Sequence, residues 1–390
     1  MKAYQYLIIG GGMTADAAVS GIRDLDKDGT ICLISAEKDP PYNRTHLSKG
    51  LWNSTPAEEI WLNTKLNGAE LKLGLCAVNI DPAQKLVEDS RGGQYRYEKL
   101  LIATGVKPKK LPFENENILY YHDYADYEKL KIWVQKKNRF AVIGSGFVGS
   151  EISAALAMQG KEVLLFDLGP GIGWNIFASE MVYFLNGYYR NKGVEIHQNA
   201  DIQDISERDG KVNIVLKGGE EFLVEGVVAG VGAEPQVYIA RNAGITVDNG
   251  IKANAYLETN IPDIFAAGDV AYFYSPALDK CLRVEHEDNA LKMGYMAGRN
   301  MAGDEQEYDY LPMFYSDLFD LGYEAVGVLD SRLDIYMDWR DKFKEGVIYY
   351  LEKGRIIGIL LWNVRGKVNS AREIIARQET YPPEKLKRLL

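Results

Sequence analysis

Unbroken apolar runs recur along the chain, and each stops at a glycine. Residues 6–9, Tyr-Leu-Ile-Ile, lead into Gly10-x-Gly12-Met13-Thr14-Ala15, and small residues (Ala17, Ala18, Gly21) follow at helical spacing. An all-apolar run predicts a strand buried on both faces of a parallel sheet, and the small residues predict a helix packed closely on it. Residues 30–35 predict a second strand that ends near the acidic Glu37. Residues 73–97 alternate apolar and polar around Asp81-Pro82 and Gly92-Gly93, which predicts a short β-meander. It leads into a buried strand at residues 99–105, ending Ala103-Thr104-Gly105, and Pro108 and Pro112 then mark a linker.

The pattern then repeats. Residues 140–143 run into Gly144-x-Gly146-Phe147-Val148-Gly149, residues 162–167 end on the acidic Asp167, a meander recurs between residues 194 and 224, and residues 226–232 close on Gly232. Within each copy the first glycine lets the chain turn and the second lets backbone approach a pyrophosphate. The free N–H groups and dipole of the following helix face the phosphate, and the acidic strand end can accept hydrogen bonds from a ribose. Internal duplication of this unit implies two nucleotides, and the natural pairing is a flavin dinucleotide facing a nicotinamide dinucleotide. Further on, residues 260–271 form a short strand running into Gly268-Asp269. Residues 283–301 predict a helix with small residues on one face, and from residue 310 aromatic-rich strands and a closing helix at residues 369–378 predict a smaller α+β domain. The fold class is α/β: two Rossmann-like domains, each with a meander insertion, plus a C-terminal α+β domain.

Composition narrows the function without changing this picture. Hydrophobic content of 46% and charged content of 26% over 390 residues are ordinary for a soluble enzyme of two or three domains. Net charge of −10 argues against a nucleic-acid or anionic-membrane partner, and no apolar run is long enough to span a bilayer. The chain enters a strand within a few residues, without a signal-peptide pattern. Cys32, Cys76 and Cys281 form no CxxC or CxxxxC pair, so no dithiol centre is expected and the expected address is cytoplasmic. His46, His122, His197 and His286 show no metal-ligand spacing, and no metal is expected.

Taken in order, several motifs resemble the two-dinucleotide-binding-domain flavoproteins, specifically their ferredoxin/rubredoxin reductase and apoptosis-inducing-factor branch. They are Gly10-x-Gly12-x-x-Ala15, Pro41-Tyr-x-Arg44-x-x-Leu47-Ser48-Lys49, Ala103-Thr104-Gly105, Gly144-x-Gly146-x-x-Gly149-Ser-Glu151, Gly232-Ala-Glu-Pro235, Ala266-Ala-Gly268-Asp269 and Val284-Glu285-His286-x-Asp288-Asn-Ala290. Phe314-Tyr315-Ser-Asp317, Gly322-Tyr-Glu-Ala-Val-Gly327 and Leu361-Trp362-Asn-Val364 extend the likeness to the end.

The resemblance implies an FAD-binding domain at residues 1–113 and 243–309, an NAD-binding domain at 114–242 and a C-terminal domain at 310–390. It implies that Gly10, Gly12, Thr14, Ala15, Glu37, Arg44, Lys49, residues Ala103, Thr104 and Gly105, and Gly268 and Asp269 hold FAD. Gly144, Gly146, Phe147, Val148, Asp167 and Gly232 would hold NAD(H). The helix beginning around Glu285, His286, Glu287 and Ala290 would point its N-terminus at the flavin. Lys49 and Glu151 are the implied catalytic pair, and Tyr315 and Trp362 are further cofactor-side positions. Asp167 with no following Arg or Lys predicts NADH over NADPH. Relatives often carry Pro-Pro at Thr45-His46 and tryptophan at Glu287 and at Tyr315, so the acceptor side is where this chain departs.

Two functions follow. One is an FAD-dependent NADH oxidoreductase that passes hydride to flavin and then single electrons to a small iron–sulfur protein, ferredoxin or rubredoxin. The other is an apoptosis-inducing-factor-like redox sensor with slow turnover, a stable reduced flavin–NAD charge-transfer complex and NADH-linked dimerisation, leaving monomer and homodimer both open. Basic residues crowd the C-terminus (Arg365, Lys367, Arg372, Arg377, Lys385, Lys387, Arg388) and read either as a solvated face or as a docking patch for an acidic partner.

Overall fold

A computed structural model describes residues 2–390. The chain forms two compact units. The first comprises Met1–His46, Thr55–Lys107 and Glu234–Phe314; the second comprises Leu47–Ser54, Pro108–Ala233 and Tyr315–Leu390.

In the first unit the apolar runs form the centre of one sheet. Its strands lie in the order Ala69–Lys72, Ile31–Ile34, Lys2–Ile9, Gln94–Ile102, Leu86–Asp89, Ala77–Asp81, and Ile264–Ala266 pairs with Gln94–Ile102. Ile8 lies between Leu33 and Leu101 in parallel register, and all three are fully buried. The third meander strand and the buried strand after it, separate in the sequence reading, are one strand. Gln94, Tyr95 and Arg96 pair antiparallel with the meander, whereas Leu100, Leu101 and Ile102 pair parallel with Ile264, Phe265 and Ala266. The change from alternating to continuous burial along that strand marks where one face stops meeting solvent.

The helix Met13–Leu25 packs on the helix Glu287–Met301 through backbone. A methyl added at Gly21 would come within 2.1 Å of the Tyr295 carbonyl oxygen, one at Gly294 within 2.3 Å of Thr14 O, and one at Gly298 within 2.1 Å of Ala18 O. The small-residue face expected on residues 283–301 is this contact. That helix starts at Glu287 rather than Arg283: residues 283–286 follow the strand Lys280–Leu282 without regular structure, and His286 is extended at the cap.

In the second unit a parallel sheet runs Val194–His197, Glu162–Phe166, Arg139–Ile143, Gly226–Ala229, Ile118–Tyr120. The helix Phe147–Met158 follows its central strand, and the meander Ile202–Arg208, Lys211–Leu216, Glu221–Val224 forms a separate three-stranded sheet. The aromatic-rich C-terminal segment is antiparallel, in the order Met313–Leu318, Leu321–Gly327, Arg355–Trp362, Glu345–Glu352, Asp334–Asp341. The closing helix is Val368–Ala376, with a further turn at Pro383–Leu386.

Two glycines test this packing in opposite senses. Gly298→Ala should cost about 1–3 kcal/mol, because a backbone carbonyl cannot move aside. Gly187→Ala, inside the helix Ser179–Asn191 with open space around the new methyl, should stabilise by about 0.5–1 kcal/mol. Urea-unfolding midpoints of the two variants check both signs.

Candidate functional site

The first glycine turn is built around contacts that no side chain fits. Gly10 has φ +132°, and a β-carbon there would lie 2.1 Å from Ala103 O. At Gly12, by contrast, a β-carbon would meet nothing within 4 Å. Gly12 caps the helix Met13–Leu25 with no side chain satisfying its first N–H groups. The result is an open cradle at the positive end of a helix dipole, suited to a phosphate. Thr14 is buried against Gly268, which takes φ +76° in the short turn carrying Asp269. Ala103 donates its N–H to Ile9 O at 2.8 Å, and Thr104 exchanges hydrogen bonds with Gln236, Oγ1 to the carbonyl at 2.9 Å and Nε2 to its own carbonyl at 2.7 Å. Gly105 turns with φ +65° in open space.

Glu37 sits beside this cradle with one oxygen on Arg44 Nη2 at 2.6 Å and the other on the Tyr42 hydroxyl at 2.8 Å. Asp269 faces a mixed cluster of charges. Burial pushes its carboxyl up to about 7, with neighbouring Glu285 adding to the effect and Arg44 and Arg283 opposing it. Arg283 holds Glu285 at 2.5 Å and donates to Asp269 O at 3.1 Å, yet its buried Nε has no partner among the described residues. An orphaned guanidinium N–H is costly unless something accepts from it. At the start of the helix Glu287–Met301, His286 stacks on Phe314 at 4.2 Å and Glu287 accepts from Asn43 Nδ2 at 2.8 Å; Ala290 is buried one turn in.

The second unit repeats the cradle. A β-carbon on Gly144 (φ +95°) would lie 2.4 Å from Gly230 O, whereas Gly146 is open and caps the helix Phe147–Met158 without a side-chain partner. Phe147 and Val148, apolar residues at that helix start, are both more than a third exposed. Ser145, Phe147, Ile172, Phe177, Leu318 and Tyr323 are among the residues lining an open cleft of about 320 Å³ there. Gly232 turns at the exposed end of the strand–turn segment with φ +98°. Asp167 is largely occupied by its own loop. One oxygen accepts from Ser145 N at 2.7 Å and Ser145 Oγ at 2.6 Å, and the other from Gly169 N at 2.6 Å. Three of a carboxylate's roughly four acceptor sites are thus used, leaving one.

Lys49 and Glu151, 102 positions apart, meet at 3.2 Å with side-chain exposures of 15% and 5%. Two hydroxyls complete the carboxylate: Ser48 Oγ donates to Oε2 and Ser316 Oγ to Oε1, each at 2.6 Å. Burial pushes the Glu151 carboxyl above its ordinary range, while Lys49, Ser316 and Ser48 pull it back. The Lys49 ammonium lies 4.1 Å over the Tyr315 ring, with Nζ 3.5 Å from Tyr315 O. Ser48, Ser316 and Tyr323 were not among the expected site residues, since hydroxyls in short motifs carry no periodic or charge signal. Trp362 is fully buried, stacked on Tyr323 at 6.0 Å, with its indole N–H on Phe343 O at 2.9 Å.

A model for the pyridine nucleotide-disulphide oxidoreductases matches residues 4–294, about three quarters of the chain. The chain belongs to the pyridine nucleotide-disulphide oxidoreductase family. A second model, for the C-terminal, mitochondrion-associated part of apoptosis-inducing factor, matches residues 297–340 and 336–377. Apoptosis-inducing factor 1, mitochondrial, of Dictyostelium discoideum is 30% identical over 97% of this chain and 80% of its own length. A monodehydroascorbate reductase of Pisum sativum is 31% identical over 97% of this chain and 95% of its own. The crystal structure of the ferredoxin reductase for the CYP199A2 system from Rhodopseudomonas palustris superposes with TM-score 0.91 at 27% identity, covering 99% of this chain and 98% of that one.

As a member of this oxidoreductase family the protein is an FAD-dependent NAD(P)H oxidoreductase. Its residues fit both nucleotides: two open glycine cradles at uncapped helix starts suit two pyrophosphates, and the orphaned Arg283 Nε offers a donor beside the first. No helix is long and apolar enough to cross a membrane among the described residues.

Asp269 gives a pH test of the first cradle. Its ordinary value is 3.8 and its folded value is about 7. The folded state therefore binds the proton more tightly, and the stability this group contributes is complete below about pH 4 and lost as pH rises towards 7. FAD-free protein should become easier to unfold across that window, and Asp269→Asn should flatten the slope. Denaturant midpoints against pH in wild type and variant provide the check.

Proposed function

We propose that the enzyme takes hydride from NADH and delivers electrons singly to a small iron–sulfur protein of the ferredoxin or rubredoxin kind. FAD supplies the chemistry that joins the two halves, accepting a hydride and releasing electrons one at a time. The observation that carries this reading is the likeness of the whole chain to a ferredoxin reductase in a molecule whose three cysteines are all free. Without a dithiol beside the flavin, electrons have no disulfide to visit and must leave the flavin directly. The same unpaired cysteines support a reducing, cytoplasmic address.

Within this reading, the cradle at Gly10 and Gly12, with Thr14, Ala15, Glu37, Arg44, Ala103, Thr104, Gly105, Gly268 and Asp269, binds FAD. The cradle at Gly144 and Gly146, with Phe147, Val148, Asp167 and Gly232, binds NADH. Lys49 and Glu151 are the pair that serves hydride transfer, since a paired lysine can stabilise negative charge as it develops. Glu285, His286, Glu287 and Ala290 serve the flavin end of the first cradle, Tyr315 is a further cofactor-side position, and Trp362 serves from behind Tyr323. The division into FAD, NAD and C-terminal domains at residues 113/114, 242/243 and 309/310 follows these roles. Exposed Arg365, Lys367, Arg377, Lys385, Lys387 and Arg388 support a docking face for an acidic protein.

A redox-sensing role is the second reading, favoured by the match of residues 297–340 and 336–377 to the C-terminal model of apoptosis-inducing factor. Anaerobic rapid mixing with NADH separates the two. Flavin bleaching at roughly ten per second or faster, followed by rapid reoxidation by ferredoxin or rubredoxin, is expected. Reduction slower than one per minute, with a change in oligomeric state on adding NADH, would establish the sensor instead. Monodehydroascorbate belongs in the same acceptor screen, given the plant relatives.

Asp167 sets nucleotide choice through its remaining acceptor site and its charge, which favour a ribose 2′-hydroxyl over a 2′-phosphate. Wild type should prefer NADH, and Asp167→Ala should narrow the NADH/NADPH ratio of kcat/KM by about tenfold, equivalent to roughly 1.4 kcal/mol. Because Ser145 also loses its acceptor, both KM values should rise.

A further inference from the structure

The Lys49–Glu151 pair does not stand alone. Glu151 lies in the first turns of the helix Phe147–Met158, and its two oxygens are taken by hydroxyls from distant parts of the chain. Ser316, only 1% exposed, comes from the C-terminal sheet and is itself hydrogen-bonded to the Tyr323 hydroxyl. Tyr323 is 2% exposed, and its ring is held by Trp362 stacked on one side and Phe177 meeting it edge-on at 5.6 Å. We propose that Tyr323 and Ser316 form a hydroxyl relay that holds Glu151 ionised and aimed at Lys49, making both positioning residues for hydride transfer.

The physical case starts from burial. A lone carboxyl this deeply buried protonates rather than stay charged, and Lys49 would then lose its counter-ion. An ionised carboxylate only accepts, so Ser48 and Ser316 must both donate to it, and the 2.6 Å separations are those of charge-assisted O–H···O⁻ bonds. Ser316 has a single hydroxyl hydrogen and gives it to Glu151, so in the bond the two hydroxyls share the phenol must be the donor. Each donor in such a chain polarises the next and strengthens the final bond. The charged and titratable groups around Glu151 are Lys49, from the loop before the Gly50–Trp52 turn, Tyr189 from the helix Ser179–Asn191, and Tyr323. Burial holds both phenols well above their ordinary range, so both stay neutral, and among the described residues Lys49 is the cation paired with Glu151.

This arrangement gives Trp362 a task. It touches the relay rather than a ligand, fixing the Tyr323 ring while its own N–H is anchored on Phe343 O. Tyr323 also lines the cleft beside the second glycine cradle, so the relay runs from the wall of that cleft to the buried carboxylate.

The inference rests on Lys49 and Glu151 serving the reacting rings. Tyr323→Phe is the clean test, because it deletes one hydroxyl and keeps the aromatic packing; Ser316→Ala removes the donor itself, and Ser316→Thr should restore it. Two quantities are measured on the FAD-loaded protein: the pH profile of anaerobic flavin reduction by NADH, and the infrared carboxylic-acid band that Glu151→Gln abolishes. Ser316→Ala should raise the Glu151 pKa by roughly one to two units and Tyr323→Phe by a smaller step in the same direction. Each should bring a new acid–base limb into the rate profile with KM for NADH nearly unchanged. A carboxyl titration identical to wild type in both variants would overturn the relay, as would a uniform rate loss at every pH. If Glu151→Gln leaves reduction by NADH at the wild-type rate, it is the assignment of the pair under the proposed function that fails, while the infrared titration still decides the relay.

Discussion

A carboxylate with 5% exposure is the constraint around which the second unit is arranged. Taking a charge that far from water is tolerable only when a counter-ion and full hydrogen bonding replace the solvent. Meeting both requirements draws on three separate stretches of sequence: the Ser48-Lys49 pair, the helix carrying Glu151, and the strand carrying Ser316. Each of these must be held firmly for the carboxylate to stay ionised. The aromatic packing of Phe177, Tyr323 and Trp362 supplies that rigidity on the C-terminal side. The C-terminal sheet is therefore part of the charge balance of the site.

The glycine cradles solve the complementary problem. There, among the described residues, no cap side chain accepts from the first backbone N–H groups, because the cap residues are glycines. A helix end left open costs stability unless a ligand completes it. Tight glycine contacts at Gly10 and Gly144, where a β-carbon would strike a carbonyl, hold each turn close to its sheet, while the open faces of Gly12 and Gly146 admit an anion.

Much of the fold was legible because parallel strands buried on both faces have no solvent side to interrupt their apolar runs. Leu7, Ile8, Leu33 and Leu101 behave this way, and the glycines that end such runs mark both strand-to-helix turns. What escaped has specific causes. The helix starts at Glu287, four residues after Arg283, because residues 283–286 stay outside it and nothing in their composition announces the change. Strand Gln94–Ile102 was divided in two because its pattern of exposure changes midway while its backbone does not. At the site, the meeting of Lys49 with Glu151 could not be read from spacing at all; only the resemblance suggested it. The serines and Tyr323 had no signal of their own, since a hydroxyl becomes informative only when its neighbour in space is known. Asp167 was legible as an acidic strand end, but not the three hydrogen bonds by which it shapes its own loop.

The choice of neutral donors around Glu151 has a consequence for the net charge of the cluster. A second cation in place of Ser316 would stabilise the carboxylate more strongly, but would leave the cluster with net positive charge. Hydroxyls stabilise the carboxylate through dipoles and leave the pair electrically balanced. The two serines share that carboxylate with Lys49, so the ammonium is not its sole partner.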